Sequence, residues 1–164
     1  MAEEKKIRRE GGPRRRSLPT EKPEYEHKIL AIRRVTRVMA GGRRFSFAVV
    51  VVAGNRHGRV GLGVGKAGDI SVSIEKAFRD AKKNLRTIPL TKTGSLPHEV
   101  AAKFGSSRVA IWPAKGRGLV AGSSLRAILE MAGARDVGAK IFSKSKNKLN
   151  IASAGMKALA QLKN

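Results

Sequence analysis

Cysteine is absent from the 164 residues. That excludes a disulfide framework, a thiolate zinc site and a cysteine nucleophile. Acidic side chains are scarce, at 12 against 35 basic ones, leaving a net charge of +23. A chain this cationic repels itself until a polyanion neutralises it, and nucleic acid is the expected partner. Aromatics are only 4% of residues, too few for a platform that stacks successive bases. No apolar run approaches the roughly 20 residues of a membrane helix; the run at Ala48–Ala53 has strand length. The charged first residues lack the apolar core of a signal peptide, so a cytoplasmic protein is expected. Hydrophobic residues are nevertheless 41% of the chain, which is enough for a packed core.

The charge is distributed over the body of the chain. Residues 1–28 hold nine basic and six acidic side chains with almost nothing apolar, and residues 1–26 read as a disordered basic arm in which Arg14, Arg15 and Arg16 could touch a polyanion. The other 136 residues hold 26 basic and six acidic side chains. Residues 29–93 and 94–164 share this excess almost equally, at +11 and +9. Both halves are therefore expected to face the polyanion.

Periodicity predicts an α+β protein of two small α/β sandwich domains, over 27–90 and 91–164. In the first, Ile29–Val38 and Phe45–Val52 read as strands, the second central. Gly54–Gly58 has the chemistry of a hairpin turn. Arg59–Gly65 alternates strictly: Val60, Leu62 and Val64 form one face, and Gly61, Gly63 and Gly65 leave the other bare for another backbone or a nucleic acid. Asp69 is expected to cap a helix that runs to Pro89 and buries Ile70, Ile74, Ala77, Phe78, Ala81, Leu85 and Ile88. This gives β-β-β-α. The second unit reads β-β-α-β-α. Its strands are His98–Phe104, Ser107–Trp112 and Asp136–Phe142. A helix starts at Ser123 or Ser124 with Leu125, Ile128, Leu129 and Ala132 inward, and stops at Gly133. A last helix is capped by Asn150 and packs through Ile151, Ala158, Leu159 and Leu162.

Two glycine motifs invite a nucleotide reading. Gly61–Lys66 fails as a Walker loop, because Val60 stands where a glycine is needed and Ala67 where Ser or Thr is needed. Gly116–Ala121 fits a relaxed dinucleotide fingerprint, with Asp136 twenty residues after Gly116. Too little chain remains for a doubly wound sheet, so a nucleotide-dependent enzyme is the competing hypothesis and not the preferred one. His27, His57 and His98 have no metal-ligand spacing, and no pair of carboxylates is placed for acid–base work. Glu130, four residues after Arg126, is expected to form an intrahelical pair. Neither catalysis nor a cofactor nor a metal is expected.

Gly41-Gly42-Arg43-Arg44-Phe45-Ser46-Phe47, Gly58-Arg59-Val60-Gly61, Gly65-Lys66-Ala67 and Asp80-Ala81-Lys82-Lys83-Asn84-Leu85 closely resemble the family of the fifth protein of the bacterial small ribosomal subunit. Pro97-His98, Pro113-Ala114, Gly118, Ala121-Gly122, Arg126-Ala127, Leu129-Glu130, Ala132-Gly133 and Asp136-Val137 continue the resemblance, in order, to about residue 162. It implies a double-stranded-RNA-binding-like first domain and a left-handed β-α-β second domain. It also implies a structural role in the 30S subunit, binding 16S rRNA, supporting assembly and contributing to accuracy. The implied neighbours are the fourth and eighth small-subunit proteins. No membrane or small-molecule partner is implied. The loop at Gly41, Gly42 and Arg43 matches the family's hairpin loop, where changes confer spectinomycin resistance. Gly118, Gly122 and Arg126 fall in the expected protein interface. Together with the cationic loops and strand edges, the RNA contacts are expected at Arg33, Arg37, Gly41, Gly42, Arg43, Arg44, Arg56, Arg59, Lys66, Lys115, Arg117, Lys144 and Lys146. The chain departs from the family at Gly68-Asp69, Asn55-Arg56-His57, Arg117 and the lysine-rich Ser143–Lys148.

Overall fold

The computed structural model describes residues 24–163. Most of the expected N-terminal arm, including Arg14, Arg15 and Arg16, lies outside them. Two four-stranded sheets organise the described residues, each with helices packed on it, giving an α+β fold of two units. In the first, β1 (Glu26–Met39), β2 (Gly42–Gly54), β3 (Arg59–Ala67) and β4 (Arg86–Thr87) lie side by side in that order. Helix α1 (Ile70–Lys83) connects β3 to β4. In the second, β5 (Val100–Phe104), β6 (Ser107–Pro113), β7 (Leu119–Val120) and β8 (Val137–Ile141) pair in the order β5-β6-β8-β7. Helix α2 (Ser123–Ala132) links the parallel neighbours β7 and β8, and α3 (Lys148–Leu159) follows β8.

The bare glycine face of β3 receives a backbone, that of α1. A Cβ on Gly61, Gly63 or Gly65 would fall onto the carbonyl oxygen of Ala81, Ala77 or Ser73 respectively. So close an approach admits only small side chains. The buried face of α1 is therefore Ser73, Ala77 and Ala81, one residue per turn, while Ile70 is left exposed. This corrects the broader apolar face expected from spacing, and it closes that side of the sheet to nucleic acid. The helix also ends earlier than Pro89. Asn84 donates its side-chain amide to Leu62 O, and Ile88 N donates to Gly58 O, so Arg86–Thr87 is drawn onto β3 as an edge strand. Asp69 occupies the N-cap position, but its side chain accepts no capping bond.

The opposite face of the same sheet is buried by the second unit. Val50, Val52 and Val60 share one core with Ile111, Leu125, Ile128 and Leu129. Fully burying each such side chain contributes about 1.5–3 kcal/mol. The units also meet backbone to backbone. Arg56 N and Gly58 N, in the turn after β2, donate to Met131 O and Ala132 O at 2.9 and 2.8 Å. These carbonyls end α2 and have no partner within it. The glycines permit the approach: a Cβ on Gly54 would strike Met131 O, and one on Gly133 would strike Arg56 O. Gly133 also sits at φ +87°, the left-handed C-cap conformation.

Three further differences concern the second unit. β7 is an additional strand, too short at two residues to carry any periodicity. Asn147, not Asn150, caps α3, with its Oδ1 accepting from Leu149 N. Glu130 reaches Lys28 of β1 at 2.8 Å rather than Arg126.

Candidate nucleic-acid interface

β3 stops pairing with β2 at the Ala67–Phe47 pair. Beyond it β1 and β2 continue alone as a two-stranded arm that turns at Ala40-Gly41. Gly42 has φ +121°, which favours glycine, and a Cβ at Gly41 or Gly42 would meet nothing within 4 Å. The tip therefore projects into open space.

Register sorts the side chains of the arm. Directly opposed residues share a face, and successive residues alternate. One face carries Arg33, Arg37 and Arg44, continuing the core-facing row of Val50 and Val52. Arg37 stands directly opposite Arg44. Arg33 lies opposite Ala48, which lies opposite Lys66, so Lys66 joins the same face. Arg33 Nη2 donates to Asn147 Oδ1 at 3.3 Å, holding the loop that carries Lys144 and Lys146 against the root of the arm. The other face carries Ile32, Val38, Arg43 and Phe45, all exposed, with the Arg34 guanidinium 4.7 Å from the Phe45 ring centre. Phe45 thus stands in solvent and not in a core.

The remaining expected residues lie elsewhere. Lys115 and Arg117 are exposed on the loop between β6 and β7. Gly118 follows at φ +66°, Gly122 is the N-cap of α2, and the exposed Arg126 is one turn in, with its N–H on Gly122 O. These three do gather at one helix end. Arg56 and Arg59 are at the far end of the first sheet from the arm tip, and Arg56 is ion-paired with Glu26 at 2.6 Å. Residue type alone does not mark Arg34, which lies on the Phe45 ring, nor Lys103 and Arg108, which face each other across β5 and β6. The register of paired strands, once known, is the signal that finds such residues.

Charge compensation is sparse. Among the described residues the ion pairs are Lys28–Glu130, Arg56–Glu26 and Arg79–Glu75. Asp80 and Asp136 accept from backbone amides instead, of Val64 and Gly118. The hydrogen bond from Lys28 holds the Glu130 carboxyl below the usual carboxylate range, with the Lys28, Arg56 and Arg126 charges adding to it and partial burial opposing. Asp136 also bears on the dinucleotide reading. Its Oδ1 takes the Gly118 N–H at 3.2 Å, so acid and amide satisfy each other, and β7 intervenes before the helix. The fingerprint is a braced turn. No group of three or more His, Cys, Asp or Glu among the described residues could hold a metal ion.

Residues 25–89 match the sequence profile of Ribosomal protein S5, N-terminal domain, and residues 102–164 that of Ribosomal protein S5, C-terminal domain. The chain belongs to the ribosomal protein S5 family. Among its relatives, Small ribosomal subunit protein uS5 of Thermus thermophilus is 46% identical over 141 residues, covering 85% of this chain and 86% of that protein. The uS5 protein of Mesomycoplasma hyopneumoniae strain 7448 is 43% identical over 143 residues, and that alignment spans 87% of this chain and 66% of the relative. Small ribosomal subunit protein uS5c of Cyanophora paradoxa is 43% identical over 143 residues, with 87% and 84% covered. The arm, the glycine-braced helix and the α2 turn all lie within the parts that match the S5 family.

Proposed function

We propose that this S5-family chain is a structural constituent of the small (30S) ribosomal subunit, ribosome-bound and not an enzyme, which binds 16S rRNA through the cationic face of its β1–β2 arm. The observation that carries this is the Arg37–Arg44 pair in direct cross-strand register. Like charges so placed destabilise a sheet. A two-stranded ribbon is also only marginally stable in water. Phosphates laid along the face resolve both problems at once, because each basic side chain gains a partner and the ribbon gains a third surface.

Arg33, Arg37, Arg44 and Lys66, with Lys144 and Lys146 at the root, form the main RNA face. Gly41, Gly42 and Arg43 shape the tip, where backbone can approach RNA closely. Arg56 and Arg59 at one sheet end, and Lys115 and Arg117 in the β6–β7 loop, supply outlying contacts. Gly118, Gly122 and Arg126 face a protein neighbour, with the fourth and eighth small-subunit proteins as the candidates, and changes there alter accuracy more than RNA affinity. The division at residues 27–90 and 91–164 is the working domain boundary.

The test is co-sedimentation of the full chain with small subunits lacking this protein, at increasing salt. The retained fraction should fall steeply, since each phosphate contact releases counterions. The variant carrying Arg43→Glu and Arg44→Glu should dissociate at lower salt and show a shallower dependence. Equal retention of variant and parent at every salt concentration would refute the assignment.

A further inference from the structure

A second cationic feature lies at the end of the first sheet remote from the arm. A groove of about 880 Å3 opens where the Arg56–Gly58 turn, the Thr87–Gly94 segment and Arg135 meet. Its floor includes the half-buried Pro89 and Leu90, and its exposed walls carry Arg56, His57, Lys92 and Arg135. No carboxylate among the described residues lines it. Arg56 is engaged by Glu26, but Lys92 and Arg135 make no ion pair among the described residues.

The walls are braced rather than loose. Ile88 N donates to Gly58 O at 2.7 Å, and Arg135 N donates to Gly94 O at 2.9 Å. Thr91 Oγ1 accepts from Ser95 N and donates to Ser95 O, closing the turn between them. The two basic side chains thus stand over an apolar floor on a preformed frame.

We propose that this groove holds an unpaired segment of RNA, with phosphates at Lys92 and Arg135 and a base or ribose against Pro89 and Leu90. This rests on the reading that the chain binds ribosomal RNA. A duplex hides its base faces and presents only backbone, so it has nothing to set on an apolar floor. An unstacked nucleotide offers both a phosphate and an apolar face. The guanidinium of Arg135 suits a phosphate oxygen pair.

The chain has no cysteine. Thr93→Cys on the groove and Gly41→Cys at the arm tip therefore each give a unique attachment point for an iron chelate that cleaves nearby RNA. Each labelled full-length protein is assembled into small subunits, and the cut positions are read. Thr93→Cys should cut one short unpaired stretch, different from that cut by Gly41→Cys. Adding Lys92→Glu and Arg135→Glu should abolish the Thr93→Cys cuts. It should also lower the slope of log affinity against log salt by about 1.4, from roughly 0.7 per single-strand phosphate. The uncharged pair Lys92→Gln and Arg135→Gln removes the same two contacts and should lower the slope by the same amount. Cuts from Gly41→Cys alone would overturn the groove assignment and leave the arm reading standing. Cuts from Thr93→Cys that survive the charge reversal would also overturn it, as would damage confined to a neighbouring protein. Cuts from neither probe would overturn both readings.

Discussion

Val49–Gly54 of β2 is buried on both faces, by α1 on one side and the second unit on the other, whereas Gly42–Phe45 of the same strand is exposed. The buried stretch is Val-Val-Val-Val-Ala-Gly, and the exposed one Gly-Arg-Arg-Phe. At the base, chemistry serves packing: side chains vanish from β3 so that a helix can lie on its backbone. In the arm, chemistry opposes stability in the free protein: arginines face one another, and Val38 and Phe45 stay in water. A fold that tolerates this in one ribbon while packing the adjoining ribbon tightly has one part for its own stability and another for a partner.

The sharpest way to break the comparison is through glycine. Gly63→Val would force its side chain into the backbone of α1, and should cost at least about 3 kcal/mol in urea unfolding or prevent folding. Gly41→Ala, in open space at the arm tip, should change stability by no more than about 0.5 kcal/mol. Next comes side-chain truncation. Val52→Ala, in the shared core, should cost about 2 kcal/mol, and Val35→Ala in the arm well under 1 kcal/mol, by the same unfolding measurement. The smallest effect lies at the contact between the units. The folded Glu130 carboxyl has a lowered pKa, so its pairing with Lys28 stabilises above the ordinary carboxylate range and is lost as pH falls through the lowered value. Glu130→Gln should therefore cost under about 1 kcal/mol at neutral pH, and a pH series should show the difference from the parent vanish in acid.

The elements that could be read from sequence are those whose cause is local. The β-branched run of β2, the glycine alternation of β3 and the left-handed stop at Gly133 each carry their own reason. Where the cause is tertiary, sequence spacing misleads. Leu85 and Ile88 keep helical spacing after Lys83, yet the bonds from Asn84 to Leu62 and from Ile88 to Gly58 draw that segment to the sheet. Glu130 has Arg126 at helical spacing, but β1 brings Lys28 closer. The candidate site divides in the same way. Basic residues and the glycine tip were visible as residue types. That Lys66 shares a row with Arg33, that Asn147 ties the lysine loop to the arm, and that Arg56 is neutralised by Glu26 all depend on register and docking.

One substitution separates stability from function in the arm. Arg44→Glu turns the like pair with Arg37 into an opposite pair. Thermal unfolding of the free variant, measured beside its RNA affinity across a salt series, should show a melting temperature equal to or slightly above the parent's and an affinity that is weaker with a shallower salt slope. A variant that melts lower and binds RNA as well as the parent would contradict the account, because the arm's arginines would then serve the fold and not the RNA.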